Sequence, residues 1–309
     1  MNKTIITVEK SFCDIDSLAC AVAYKELLEK IGQPAVVFIP GQLNYSVGKT
    51  MNNLNLEYET VCPADAEKFV IVDVSNPDKF HKEVKTEQVV EIFDHHPGFE
   101  QFWAERLGEK SHIKSIGACA TLIWEAFKKA GVEKNISSAS ANLLSAAIVS
   151  NTLNFNSPIT SPRDHKAFEE LKTFVDLPAN WIEKYYAGCE EKILTDLESA
   201  LRNDTKIEKI PGQNEPLVIG QLETWHPEKI LDNNQFKIGQ ILKNMNSKHW
   251  MFNLLSLSEK KNYILTDDLE TQIFLSDWLK ISFNDNLAIT NSFVLRKMIM
   301  KELNNRPWK

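Results

Sequence analysis

The first half of the chain alternates short apolar runs with longer stretches of helical spacing. Thr4–Val8, Ala35–Ile39, Phe69–Val74 and Val89–Phe93 are rich in β-branched and aromatic residues and predict strands. Between the first two, Leu18, Ala21, Val22, Leu28 and Ile31 form one apolar stripe, predicting a helix over Ser17–Ile31 that Gly32 closes. Gly117–Ala130 and Ala139–Val149 read as further helices, and Asp164–Phe174 as another entered through Pro162. Strands alternating with helices predict right-handed βαβ units. An α/β domain with a mostly parallel, doubly wound sheet is therefore expected. Beyond Asn180 the pattern changes. Asn180–Leu201 reads as a charge-laced helix, Pro216–Leu222, Trp250–Leu257 and Asn262–Leu265 as strands, and Leu269–Leu279 as a helix. This predicts a smaller α+β C-terminal domain, with domains at 1–190 and 191–309.

Composition narrows the function classes. At 309 residues two cores are the natural expectation, and 43% hydrophobic with 25% charged residues is ordinary globular usage. A net charge of −7 argues against general nucleic-acid or membrane-surface binding. No apolar run approaches the roughly 18 residues of a membrane span, and the N-terminal residues show no secretory apolar core. Cys13, Cys20, Cys62, Cys119 and Cys189 are scattered and odd in number, without CxxC, so neither a disulfide scaffold nor a zinc ribbon is expected. A reduced, cytoplasmic setting follows. His81, His112, His165, His226 and His249 show no ligand spacing, and no GxxxxGK[ST] phosphate loop is present.

The candidate chemistry is acidic. Asp14 and Asp16 follow the first strand, Asp73 lies in the third, and Asp94 follows the fourth with His95 and His96 directly after it. Carboxylates converging at strand ends repel one another and are costly to desolvate unless a cation sits among them. A carboxylate–imidazole set suits Mn²⁺, Co²⁺, Fe²⁺ or Zn²⁺ better than Mg²⁺ alone. The competing reading of any one motif is structural: an Asp after a strand is an ordinary helix cap, and Asp16-Ser17 would cap the helix starting there. Three acidic motifs in order on one parallel sheet outweigh it.

Cys13-Asp14-Ile15-Asp16-Ser17, Val72-Asp73, Asp94-His95-His96, Gly117-Ala118-Cys119-Ala120-Thr121 and the run from Ser145 to Pro158 resemble, in order, the motifs of DHH phosphoesterases. More narrowly they resemble the branch holding family II inorganic pyrophosphatases and exopolyphosphatase/Prune proteins. Asp204-Thr205-Lys206 and Arg296-Lys297 are similar to the two basic motifs of that branch's second domain. The resemblance implies Asp14, Asp16, Asp73 and His95 as metal ligands, with Asn151 at a further ligand position, and Mn²⁺ ahead of Co²⁺ or Mg²⁺. It puts His96, Lys206, Arg296 and Lys297 on the phosphates of a small substrate.

Three differences from the pyrophosphatase pattern stand out: Lys10 replaces a ligand His, Asn151 replaces an Asp, and Val74-Ser75 replaces His-Asn. A protonated Lys10 cannot ligate, and its ammonium would fill the place of one metal. The expected function is a metal-dependent phosphoanhydride hydrolase acting on inorganic polyphosphate or pyrophosphate. The alternative is a catalytically weak phosphate- or nucleotide-binding regulator on the same fold.

Overall fold

The computed structural model describes residues 3–52, 54, 56–306 and 308. The chain divides into two compact units, Met1–Tyr185 and Tyr186–Lys309.

In the first unit, Thr4–Thr7, Ala35–Phe38, Lys68–Val72, Val89–Asp94 and Ser111–Ile113 form one sheet. Their order is 2-1-3-4-5 by chain position, and all pairings are parallel. This is the doubly wound sheet the pattern predicts. Successive residues such as Ile5 and Ile6 are both buried, so both faces are covered, which is why the strands read as continuous apolar runs. Ile5, Phe69 and Ile71 pack with Phe80 and with Trp103 of helix Glu100–Leu107. Helices Ile15–Lys30, Cys119–Ala130 and Ser138–Asn151 pack against one another. The third strand ends at Val72, two residues before its apolar run does, because Asp73 turns left-handed. The fifth strand, Ser111–Ile113, has one apolar residue in three and gave no strand signal. Strand order reverses beside Thr4–Thr7. Ligands of such sheets sit beyond the carboxyl ends flanking that switch point, and Asp14, Asp73 and Asp94 lie at or just past those ends.

The helix read as Asn180–Leu201 is two helices: Trp181–Thr195, then Leu197–Asn203, with Asp196 as N-cap of the second. In the second unit the sheet order is Leu287–Ile289, Lys261–Leu265, His249–Ser256, Leu217–Thr224 and Thr205–Glu208. The His249–Ser256 and Leu217–Thr224 strands pair in parallel, and the other pairs are antiparallel. Every residue of His249–Ser256 is buried, as a central strand requires. Ile219, Met251 and Ile264 pack with Phe274 and Leu275 of helix Leu269–Leu279 and Ile299 of helix Arg296–Asn305. No helix among the described residues is long and apolar enough to cross a membrane.

Candidate active site

Asp14 is the N-cap of helix Ile15–Lys30, its Oδ1 accepting the Ser17 N–H at 2.9 Å. Asp16, wholly buried, caps a different helix. Its Oδ2 accepts the Cys119 N–H and its Oδ1 the Ala120 N–H, both at 2.8 Å, at the start of Cys119–Ala130. The positive end of that helix steadies the carboxylate. Burial nonetheless pushes Asp16 above the usual aspartate range, against the pull of the His95 ring.

Asp73 has φ 61°, a left-handed backbone that an L residue adopts at a cost of about 1 kcal/mol. Its N–H donates to the Phe93 carbonyl at 2.8 Å, and its Oδ2 accepts the Ser17 hydroxyl at 2.7 Å. Its Oδ1 is buried and accepts no hydrogen bond among the described residues. That oxygen lies 3.4 Å from His95 Nε2, and Asp16 Oδ2 is 3.9 Å from the same nitrogen. His95 Nδ1 faces the Ile116 carbonyl at 3.1 Å. A carbonyl only accepts, so Nδ1 carries a proton toward Ile116, and Nε2 is the ring nitrogen aimed at the carboxylates. Burial, then the charges of Asp16 and Asp14, drive the Asp73 carboxyl well above its ordinary value.

Asp94 orients the histidine pair. Its Oδ1 accepts the His95 N–H at 2.7 Å, the His96 N–H at 3.1 Å and the His96 Nδ1–H at 2.8 Å. Burial works to raise the Asp94 pKa, but the His96 ring outweighs it and the carboxyl sits below its usual value. His96 is raised in turn, Asp94 overcoming the opposing effect of burial. Ligand atoms of Asp73, His95 and His96 lie within 4.8 Å of one another. Lone pairs and an unbonded carboxylate oxygen brought this close suit a divalent cation. Asp14, Ser17, Asp73 and His96 line a cleft of about 370 Å³ within the first unit, with Lys79 and Glu9 paired beside it at 2.8 Å.

The Ile116–Ala120 segment therefore holds both His95 and Asp16, and it hangs on Gly117. The Gly117 N–H donates to Asp164 Oδ2 at 3.0 Å, and a Cβ there would lie 2.6 Å from that oxygen and 2.7 Å from Thr152 Cγ2. Buried Asp164 also accepts the Thr121 hydroxyl and both the N–H and hydroxyl of Ser161. Sequence reasoning marked Gly117 only as part of a motif, and missed its bond to Asp164 and the Ser17 bond to Asp73. The Ser161–Asp164 capping-box spacing was legible, but its reach to Gly117 spans 47 residues.

In the second unit, Arg296 starts helix Arg296–Asn305. Its Nη1 donates to the Asp204 carbonyl at 2.6 Å and its Nη2 pairs with Asp204 Oδ1 at 2.8 Å. The two basic motifs are thus in contact. Lys206 is exposed on Thr205–Glu208, and Lys297 is exposed beside Arg296.

Residues 4–148 match the profile of the DHH family, N-terminal domain. Over this segment the chain resembles a DHH domain. A protein of Exiguobacterium sp., assigned by name as a manganese-dependent inorganic pyrophosphatase, is 27% identical over 207 residues, 63% of this chain and 66% of that one. A like-named protein of Clostridium acetobutylicum is 24% identical over 92% of this chain and 91% of its own. The chain spans 66% and 62% of the first two relatives, just under two thirds of their length. Among solved structures, a Methanococcus jannaschii protein assigned by title to the family II inorganic pyrophosphatases superposes with TM-score 0.68 at 17% identity, covering 98% of this chain and all of that one. An exopolyphosphatase-related protein from Bacteroides fragilis gives TM-score 0.52 at 12% identity, over 98% and 92% of the two chains. Both share the fold.

Within the matched segment the departures fall as follows. Lys10 is exposed and its Nζ donates to the Asp78 carbonyl at 2.6 Å. The ammonium is therefore not among the carboxylates, contrary to the expectation that it takes a metal's place; the Pro77–Lys79 turn supplies a nearer acceptor. Val74 joins the apolar cluster, and the Ser75 carbonyl accepts the Trp103 Nε1–H at 2.7 Å. Just past the domain match, Asn151 ends helix Ser138–Asn151, its Nδ2 donating to the Ala147 carbonyl at 3.4 Å.

Proposed function

We propose that this chain is a metal-dependent phosphoanhydride hydrolase acting on inorganic pyrophosphate or short inorganic polyphosphate. The observation that carries it is the convergence of Asp73, His95 and His96 at the sheet's switch point, with Asp73 Oδ1 buried and unbonded. Manganese is the favoured cation, since a carboxylate–imidazole set suits it and the relatives are named for it. Asp14, Asp16, Asp73 and His95 would hold metal, with Asn151 offering a neutral amide oxygen. When bound, such a cation neutralises phosphate oxygens and acidifies water.

The protein's own groups do the rest. The Ile116 carbonyl orients the His95 ring with Nε2 toward the carboxylates, and the Cys119 and Ala120 amides keep Asp16 in place. His96, oriented by Asp94 and raised in pKa by it, is the group that would hydrogen-bond or protonate the departing phosphate. Lys206, Arg296 and Lys297 neutralise the substrate's charge. Arg296 offers a planar fork, and the lysines compact charges.

The test is phosphate release by chelator-treated protein reloaded with Mn²⁺, Co²⁺ or Mg²⁺. Turnover of pyrophosphate or tripolyphosphate, greatest with Mn²⁺ and absent for a simple phosphomonoester, is expected. No release from any anhydride would identify a binding protein on this fold instead.

A further inference from the structure

The two basic motifs of the second unit are joined by more than the Asp204–Arg296 pair. Asn253 and Asn262 are wholly buried on adjacent strands, among apolar residues such as Met251, Leu255 and Ile264. Asn262 Nδ2 donates to Asn253 Oδ1 at 2.6 Å and to the Val294 carbonyl at 2.7 Å, and its Oδ1 accepts the Val294 N–H at 3.1 Å. Asn253 Nδ2 donates to the same carbonyl at 2.9 Å and to Gln221 Oε1 at 3.2 Å. Gln221 Oε1 also accepts the Arg296 N–H at 3.0 Å. Finally, the Gln221 N–H donates to the Asp204 carbonyl at 3.1 Å, the oxygen that Arg296 Nη1 grips.

Buried amides cost free energy unless every polar atom is matched, and leucine would fill such sites as well. What these amides add is geometry. They fix both polar groups of Val294 and the N–H that opens the Arg296 helix, while the Gln221 main-chain N–H fixes the carbonyl beside the Lys206 strand. We infer that Gln221, backed by Asn253 and Asn262, is a positioning residue that holds the Arg296 guanidinium and the Thr205–Glu208 strand in one register for phosphate. The inference rests on the functional reading above and adds residues outside both basic motifs.

A double-mutant cycle on the full-length, Mn²⁺-loaded protein tests it, reading the Kd of methylenediphosphonate, a P–C–P analogue, by calorimetry. Gln221→Met keeps the side chain's length but removes the acceptor, and it weakens binding about tenfold. Gln221→Glu keeps the acceptor and restores affinity to within about twofold. Because Gln221 acts through Arg296, Gln221→Met added to Arg296→Ala costs less than about twofold more. A double variant that loses the product of the two single losses overturns the inference, as does wild-type affinity in Gln221→Met. Should Gln221→Met not fold, Gln221→Ser carries the same cycle. Failure of the wild type to bind the analogue overturns the functional reading, and this inference with it; binding with additive losses overturns this inference alone.

Discussion

The acidic end of this molecule and its basic end are organised by opposite means. In the first unit, carboxylates and imidazoles are held by main-chain groups: the Cys119 and Ala120 amides on Asp16, the Ile116 carbonyl on His95, the His95 and His96 amides on Asp94. In the second unit, a guanidinium is held by the Asp204 carboxylate and carbonyl, and the start of its helix by a ladder of side-chain amides. Each choice follows from charge. Arg296 finds its counter-charge in Asp204 and is complete as it stands. Asp16 and Asp73 repel each other and are raised by burial, which the His95 ring offsets only in part at Asp16. Only a rigid backbone holds such groups together before a cation arrives, so the acidic end stores electrostatic strain that the basic end lacks.

The largest expected effect breaks the acidic end. Asp73→Asn lowers Mn²⁺-dependent turnover by about a thousandfold or more, corresponding to roughly 4 kcal/mol of transition-state stabilisation. The same substitution separates strain from function. A carboxyl raised on folding favours the folded state below its unfolded pKa, and that contribution is lost as pH rises through the raised value. Without metal, Asp73→Asn is therefore more stable than the wild type, by a margin that grows above roughly pH 4. Denaturant unfolding in chelator across pH measures this; a margin independent of pH would remove the strain from the account.

Next is the hinge of the main-chain scaffold. Gly117→Ala pushes a methyl against Asp164 and Thr152, costing about 1–3 kcal/mol of stability, and loosens His95 and Asp16 enough to weaken Mn²⁺ binding about tenfold. Calorimetric Mn²⁺ titration beside thermal unfolding reports both. At the basic end, Arg296→Ala should instead leave Mn²⁺ affinity unchanged and raise KM about tenfold to a hundredfold. Any loss of metal there would erase the distinction between the two ends. The smallest effect is at Lys10. Its ammonium rests on the Asp78 carbonyl, so Lys10→Met changes turnover and metal content less than about twofold. A large change in metal content would show that Lys10 does act on the cluster.

Much of the acidic end was legible because each of its motifs is short in sequence and tied to a strand end. Asp14, Asp16, Asp73, Asp94 and His95 announce themselves by following apolar runs. What was not legible is how they are held. Asp16 bonds to residues 103 and 104 positions away, and Gly117 to one 47 away, and no local spacing encodes such closures. The left-handed turn at Asp73 was also hidden, since the apolar run continues through Val74. The second unit was harder still. Thr205–Glu208 and Leu287–Ile289 are short sheet-edge strands, and Asn253 and Asn262 interrupt the very apolar patterns that mark strands. Those interruptions are where the positioning network lies.

The most direct test of the central claim is the metal dependence of pyrophosphate hydrolysis in wild type and Asp73→Asn, measured on the same chelator-treated preparations as Mn²⁺ is added back. No turnover before Mn²⁺, saturable turnover by the wild type as it is added, and at least about a thousandfold less by the variant at every concentration are expected. Turnover that is indifferent to Mn²⁺, or that stays near the wild-type rate in Asp73→Asn, would contradict this.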